Sequence, residues 1–112
     1  MVHRGRVRVL LRYHHASQCL EVTVLEAREL PVHQLLVQSS YALATLVLAN
    51  DPATTWGDTR KTRMKRGTGP VFNDTFLFFV QEQALPSLLL HISVCRYHRA
   101  KKDTPIGQVV FP

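Results

Sequence analysis

The sequence predicts an all-β fold, an antiparallel sandwich, on three observations. Its apolar residues fall in runs of strand length, several of those runs alternate apolar with polar, and turn-forming residues separate them at short intervals. Arg6 to Tyr13 alternates, with Val7, Val9, Leu11 and Tyr13 on one side and Arg6, Arg8 and Arg12 on the other, as a half-buried strand requires. "CLEVTVLEA" repeats the logic: Leu20, Val22 and Val24 face one way, Glu21, Thr23 and Leu25 the other. The polar "HHASQ" between the two runs makes a hairpin-like start. Further on, "YALATLVLA", "RKTRMKR", "TFLFFV" and "LLLHISVCRY" are parted by segments rich in Pro, Asp, Asn, Gly and Ser. "LLVQSSYALATLVLA" has nearly continuous apolar residues that a helix could also explain; the reading adopted is a loop followed by a strand.

A chain of 112 residues, 46% hydrophobic and 20% charged, has the size of one domain with one ordinary core. Fourteen Lys and Arg against eight Asp and Glu leave a net charge of +6, which suits anionic partners without choosing among them. Cys19 and Cys95 each sit in an apolar run, as buried free thiols of a reducing compartment do. Arginines at positions 4, 6, 8 and 12 interrupt any apolar signal segment, and no stretch reaches the roughly 18 apolar residues a membrane span needs. The expected location is cytoplasmic, peripheral at membranes.

Three stretches in order, "LEVTVLEARELP", "RKTRMKRGTGPVFNDTFLFFV" and "LLLHISVCRYHRAKKDTPIGQVVFP", resemble a C2 domain of the synaptotagmin type. The middle stretch is the most specific, with Thr68, Gly69-Pro70, Phe72-Asn73-Asp74 and Phe76 at the family's motif positions. The same residues have a physical reading. Pro70 biases Gly69 toward an extended shape and turns the chain sharply into the next strand, where Phe72, Phe76 and Phe78 supply core area. The resemblance implies an antiparallel sandwich of about eight strands, of which about seven are legible, leaving a strand edge open to association. Residues 1–112 are expected to form a single C2 domain, either C-terminally truncated or part of a tandem C2 protein.

Calcium-responsive relatives in this family hold the ion with about five aspartates on two loops, because calcium takes about 6 to 8 oxygen ligands. Aligned on Tyr41, the first loop places His33 and Ser39 at ligand positions. Aligned on Val94 and Gly107, the second places Arg96, His98 and Thr104 there. None is a carboxylate. At about 4 Å and an effective dielectric near 20, unit charges repel by roughly 4 kcal/mol, so Arg96 opposes a divalent cation more than a lone Asp103 helps it. The expectation is no metal site and no cofactor.

Many C2 domains resemble one another in a lysine-rich strand that binds phosphoinositide headgroups or acidic protein surfaces without calcium. "RKTRMKR" reads as such a strand, with Lys61, Arg63 and Lys65 on one face and Thr62 and Met64 on the other. Arg60, Lys61, Arg63, Lys65 and Arg66 are therefore the candidate anion or phosphoinositide site, and an ordinary solvated strand face explains them equally well. Arg96, Arg99, Lys101 and Lys102 form a secondary basic loop. Trp56, in "TTWGDT", reads as a loop residue anchored to the core.

His14 and His15 are adjacent and point to opposite sides, and His91 belongs to an apolar strand, so no tetrahedral ligand set emerges. There is no nucleophile elbow, phosphate-binding glycine loop or paired acid and base, so no catalytic residue and no enzyme activity are expected. Basic residues without interleaved aromatic platforms argue against nucleic acid. Two functions remain. One is calcium-independent binding of anionic phospholipids in vesicle trafficking or exocytosis; the other is a scaffold for acidic trafficking proteins, with a second C2 domain or an oligomer as further possible partners.

Overall fold

The computed structural model describes residues 6–28, 39–67, 69–97 and 102–111. These form β1 (Arg6–His14), β2 (Cys19–Arg28), β3 (Ser39–Leu48), β4 (Asp51–Lys61), β5 (Lys65–Arg66), β6 (Val71–Phe79), β7 (Leu88–Arg96) and β8 (Thr104–Phe111), with a 3-10 helix at Glu82–Ser87. Sheet A runs β1-β2-β6, and sheet B runs β4-β3-β7-β8 with β5 also paired to β3. Every one of these pairings is antiparallel. Seven of these strands have eight residues or more, so the sandwich and its about seven strands are as expected.

The period-2 pattern sets the two faces. Val22 and Val24 of β2 turn inward with Phe72 and Phe78 of β6, and meet Ala42, Ala44 and Leu46 of β3 with Leu90, Ile92 and Val94 of β7. Val22, Val24, Ala42, Ala44 and Ile92 are wholly shielded from solvent. Tyr41, Thr45 and Val47, on the opposite face of β3, are also buried. β3 is central in its sheet and covered on both sides, and this is why its sequence is apolar almost without interruption.

Two of the irregularities fall at places the sequence marks. Gln18, at φ 54°, closes the hairpin between His14 and Cys19. Asn73, at φ 50°, lies where the β2–β6 register slips between Val24 and Glu26. Asparagine tolerates this left-handed region better than most residues, so the bulge falls on the Phe72-Asn73-Asp74 motif. Just before it, Pro70 offers its carbonyl to the Ala27 amide at 3.0 Å, which docks the turn onto β2. Thr68, the first residue of the family motif, lies outside the described residues.

Two expectations need correction. "RKTRMKR" is not one strand: β4 ends at Lys61, residues 62–64 leave the ladder, and β5 takes up only Lys65 and Arg66. The break is fastened by Thr62, 3% exposed, whose hydroxyl accepts from the Ala42 amide at 2.9 Å while its own amide donates to the Ala42 carbonyl at 2.9 Å. A side chain thus replaces a backbone acceptor, and alternation is lost beyond it. Met64 accordingly is exposed and does not pack in the core. Trp56 lies within β4, opposite Leu46 and 38% exposed, so it belongs to a strand and does not anchor a loop.

Phe72 is 1% exposed at the centre of the core. Phe72→Ala is expected to lower stability by about 3–5 kcal/mol, read as a fall in the urea midpoint at unchanged slope.

Candidate functional site

The basic run crosses the seam where β4, the edge of sheet B, meets β6, the edge of sheet A, and each cation leaves it in its own direction. Arg60 pairs with Ala44 and shares its inward face. Its guanidinium spans the seam, donating to the Leu77 carbonyl at 3.1 Å and lying 5.4 Å from the Phe78 ring centroid. Lys61, the next residue, points the opposite way. It pairs with Leu43 on the outer face of sheet B, where its Nζ sits 4.3 Å above the ring of Tyr41.

Arg63 turns back to sheet A. Its amide donates to Asp74 Oδ2 at 2.8 Å, and its Nε and Nη2 donate to Oδ1 at 3.1 and 2.8 Å. Burial works against ionisation of Asp74, but the Arg63 amide and guanidinium together with nearby Lys65 outweigh it and hold the carboxyl below the usual carboxylate range. Lys65 stands opposite Ser40 and Arg66 opposite Ser39. Residues directly opposite share a face, so Arg66 joins Lys61 beside Tyr41, while Lys65 sits with Ser40 on the inward side.

The Tyr41 hydroxyl donates to Asp103 at 2.5 Å. That bond, then burial, raises the tyrosine's pKa well above its ordinary value, so the phenol stays neutral and continues to donate. Asp103 is the carboxylate nearest in sequence to the family's ligand positions, and it is engaged by the sheet. Val94 and Gly107 are Cα partners, so the alignment anchors of the second loop coincide with a real pairing. Arg96 ends β7 opposite Ser40 and Thr104, Ser39 begins β3, and Thr104 begins β8. Lys102 is exposed. His33, His98, Arg99 and Lys101 lie outside the described residues.

The structure therefore places Lys61 and Arg66 on one face of sheet B, opposite Leu43 and Ser39, sets Lys102 next to Tyr41-bound Asp103, and turns Arg60 and Arg63 to β6. Sequence reasoning missed Asp74 and Tyr41 as the groups that sort these cations. Asp74 was visible only as part of a family motif, and no local signal tied it to Arg63. Elsewhere His14 meets Glu21 at 3.1 Å and His15 meets Glu82 at 3.5 Å. Among the described residues no group of His, Cys, Asp and Glu could hold a metal ion. Both cysteines are free thiols, Cys95 buried and Cys19 half-buried.

With this geometry in view, the comparison with known proteins is direct: the C2 domain family model matches residues 18–112. The chain belongs to the C2 domain family. It is 33% identical over 113 residues to Synaptotagmin-C of Diplobatis ommata, covering 97% of this chain and 20% of that protein. To human Synaptotagmin-3 it is 34% identical over 110 residues, covering 95% of this chain and 17% of the relative. This C2 domain thus spans about a fifth to a quarter of the length of the curated relatives it matches. The crystal structure of a RIM C2 domain from Drosophila superposes with a TM-score of 0.77 at 24% identity, covering 96% of this chain and 85% of that one, and shares the fold. The family commonly provides membrane-, lipid- or protein-binding modules. Among the described residues no helix is long and apolar enough to cross a membrane.

Because the folded pKa of Asp74 is lowered, its contribution to stability is present above the unfolded carboxyl value and is lost as pH falls through the folded one. Asp74→Ala should destabilise by about 1–3 kcal/mol at neutral pH. Thermal melts of the two proteins should converge as pH drops below about 4.

Proposed function

We propose that this C2 domain docks on anionic phospholipid surfaces without calcium, through the outer face of sheet B. Lys61 and Arg66 make the principal contact and Lys102 a flanking one. The observation that carries this reading is the shared face of Lys61 and Arg66. Both are exposed, register directs both to the Tyr41 side, and neither is matched by a described carboxylate. Arg60, Arg63 and Lys65, drawn to the seam or the inward face, serve the fold and the local field. The proposed patch is smaller than five consecutive cations, and its binding is correspondingly weak and sensitive to salt.

Calcium independence is supported by three features: Asp103 accepts a hydrogen bond from Tyr41, Arg96 carries a fixed positive charge at a ligand position, and Ser39 at another offers at most a neutral oxygen. A trafficking role at vesicle membranes accords with the synaptotagmin relatives. The single-domain reading of residues 1–112 belongs to the same proposal.

Each Lys or Arg near an anionic leaflet contributes about 1 kcal/mol, so replacing both Lys61 and Arg66 by Ala should weaken binding about 30-fold. The measurement is co-sedimentation with phosphatidylserine vesicles in chelator; unchanged binding by the double variant sinks the lipid reading, and no vesicle binding by the unaltered protein leaves an acidic protein as the partner. Isothermal titration with millimolar calcium is expected to show no saturable heat, and a site of micromolar affinity overturns calcium independence.

A further inference from the structure

Strand β1 is an edge of sheet A with one flank uncovered. It pairs with β2 alone, and among the described residues no other backbone hydrogen bond reaches it. An antiparallel neighbour takes up the amides and carbonyls of alternate residues, so the remaining ones along Arg6–His14 point away from the sheet. The opposite edge is treated differently. There the Leu77 carbonyl of β6 accepts from Arg60, and Asp74 is held by Arg63.

The side chains of β1 show the same gap. Val7, Val9 and Leu11 stand opposite Ala27, Val24 and Val22, all wholly buried, and so share the inward face. Val7 and Val9 pack against the core, whereas Leu11 is 46% exposed. An inward leucine beside a shielded valine lacks a neighbour on the side where β1 has no strand. On the outer face Arg8, Leu10 and Arg12 alternate, and all three are exposed. Arg8 and Arg28 share the one carboxylate of Glu26 at 3.0 Å each, and Glu21, opposite Arg12, is engaged by His14 at 3.1 Å. Among the described residues Arg12 has no ion pair. Surplus positive charge therefore flanks apolar Leu10 on the outside of the open edge.

We infer that the free edge of β1 receives an extended segment of another polypeptide, patterned acid, apolar, apolar, apolar, acid. Paired with residues 8–12, its two carboxylates lie beside Arg8 and Arg12 and its central side chain beside Leu10. Its other two apolar side chains turn inward and cover Val9 and Leu11. The backbone ladder supplies affinity and the alternate side chains supply choice of partner. A second copy of this chain offers the same apolar triplet, but in either direction it brings arginine beside arginine, and like charges directly opposite are destabilising. Charge thus disfavours self-pairing and selects carboxylates. The edge shares no residue with the outer-face contact of Lys61 and Arg66.

The test titrates the full chain with a capped peptide, Thr-Thr-Glu-Val-Val-Val-Glu-Thr-Thr, followed by amide resonances and hydrogen exchange. Binding should saturate, and with free peptide at about ten times Kd alternate amides of β1, those turned from β2, should exchange about tenfold more slowly. Methylating the peptide's amide nitrogens along one edge should abolish binding, and along the other leave it intact, because a single edge meets β1. The same peptide with lysine in place of both glutamates should not bind. Arg12→Glu should weaken the acidic peptide about tenfold and admit the lysine peptide. Leu11→Asp should abolish binding of the acidic peptide; if that variant does not fold, Arg12→Glu with the two peptides decides alone. No saturable binding, equal binding of the two peptides, or indifference to methylation of both edges overturns the site. A dimer of the unaltered chain in sedimentation, dissolved by Leu11→Asp, puts a second copy on the edge and overturns the choice of an acidic strand.

Discussion

The seam between the two sheets is the constraint on which the arrangement of this domain depends. β4 and β6 are edge strands of different sheets, and each would otherwise leave one flank of the core open to water. Arg60 and Arg63 close that flank from the sheet B side, one onto the Leu77 carbonyl and Phe78 ring, the other onto Asp74. Arginine suits this task because its planar fork donates in fixed directions and packs over aromatic faces. Lysine at the same positions would offer a point charge and less coverage.

This closure decides which cations remain for a partner. In an unbroken strand residues 60 and 63 would face opposite sides, so both reach β6 because the strand breaks between them, where buried Thr62 bonds its hydroxyl to the Ala42 amide. Beyond the break the register restarts on Ser39 and Ser40, so Arg66 returns to the outer face and Lys65 to the inward one. A single basic run is thereby divided among the seam, the outer face and the inward face of sheet B.

The same reasoning explains the tip. A carboxylate beside a tyrosine hydroxyl is a satisfied acceptor, and an arginine without a carboxylate is an unsatisfied donor. Asp103 and Arg96 illustrate the two cases at one end of sheet B. At this end of sheet B the described charges are Arg96, Lys102 and Asp103, and Asp103 is held by the Tyr41 hydroxyl.

Much of this was legible in the sequence. Alternation placed β1 and β2, a strand-length apolar run placed β7, the turn residues bounded them, and Phe72-Asn73-Asp74 marked the family, because strand periodicity and turn chemistry are local properties. The two residues used to anchor the second loop, Val94 and Gly107, prove to be paired. What tertiary structure alone decided was the direction of each cation. Alternation assigned Lys61, Arg63 and Lys65 to one face, and it failed because Thr62 found a backbone partner twenty residues earlier and Arg63 a carboxylate eleven residues later. Contacts at such separations leave no trace in local spacing. The chain's composition determined that it would be basic, and the meeting of two sheet edges determined where that charge could be used.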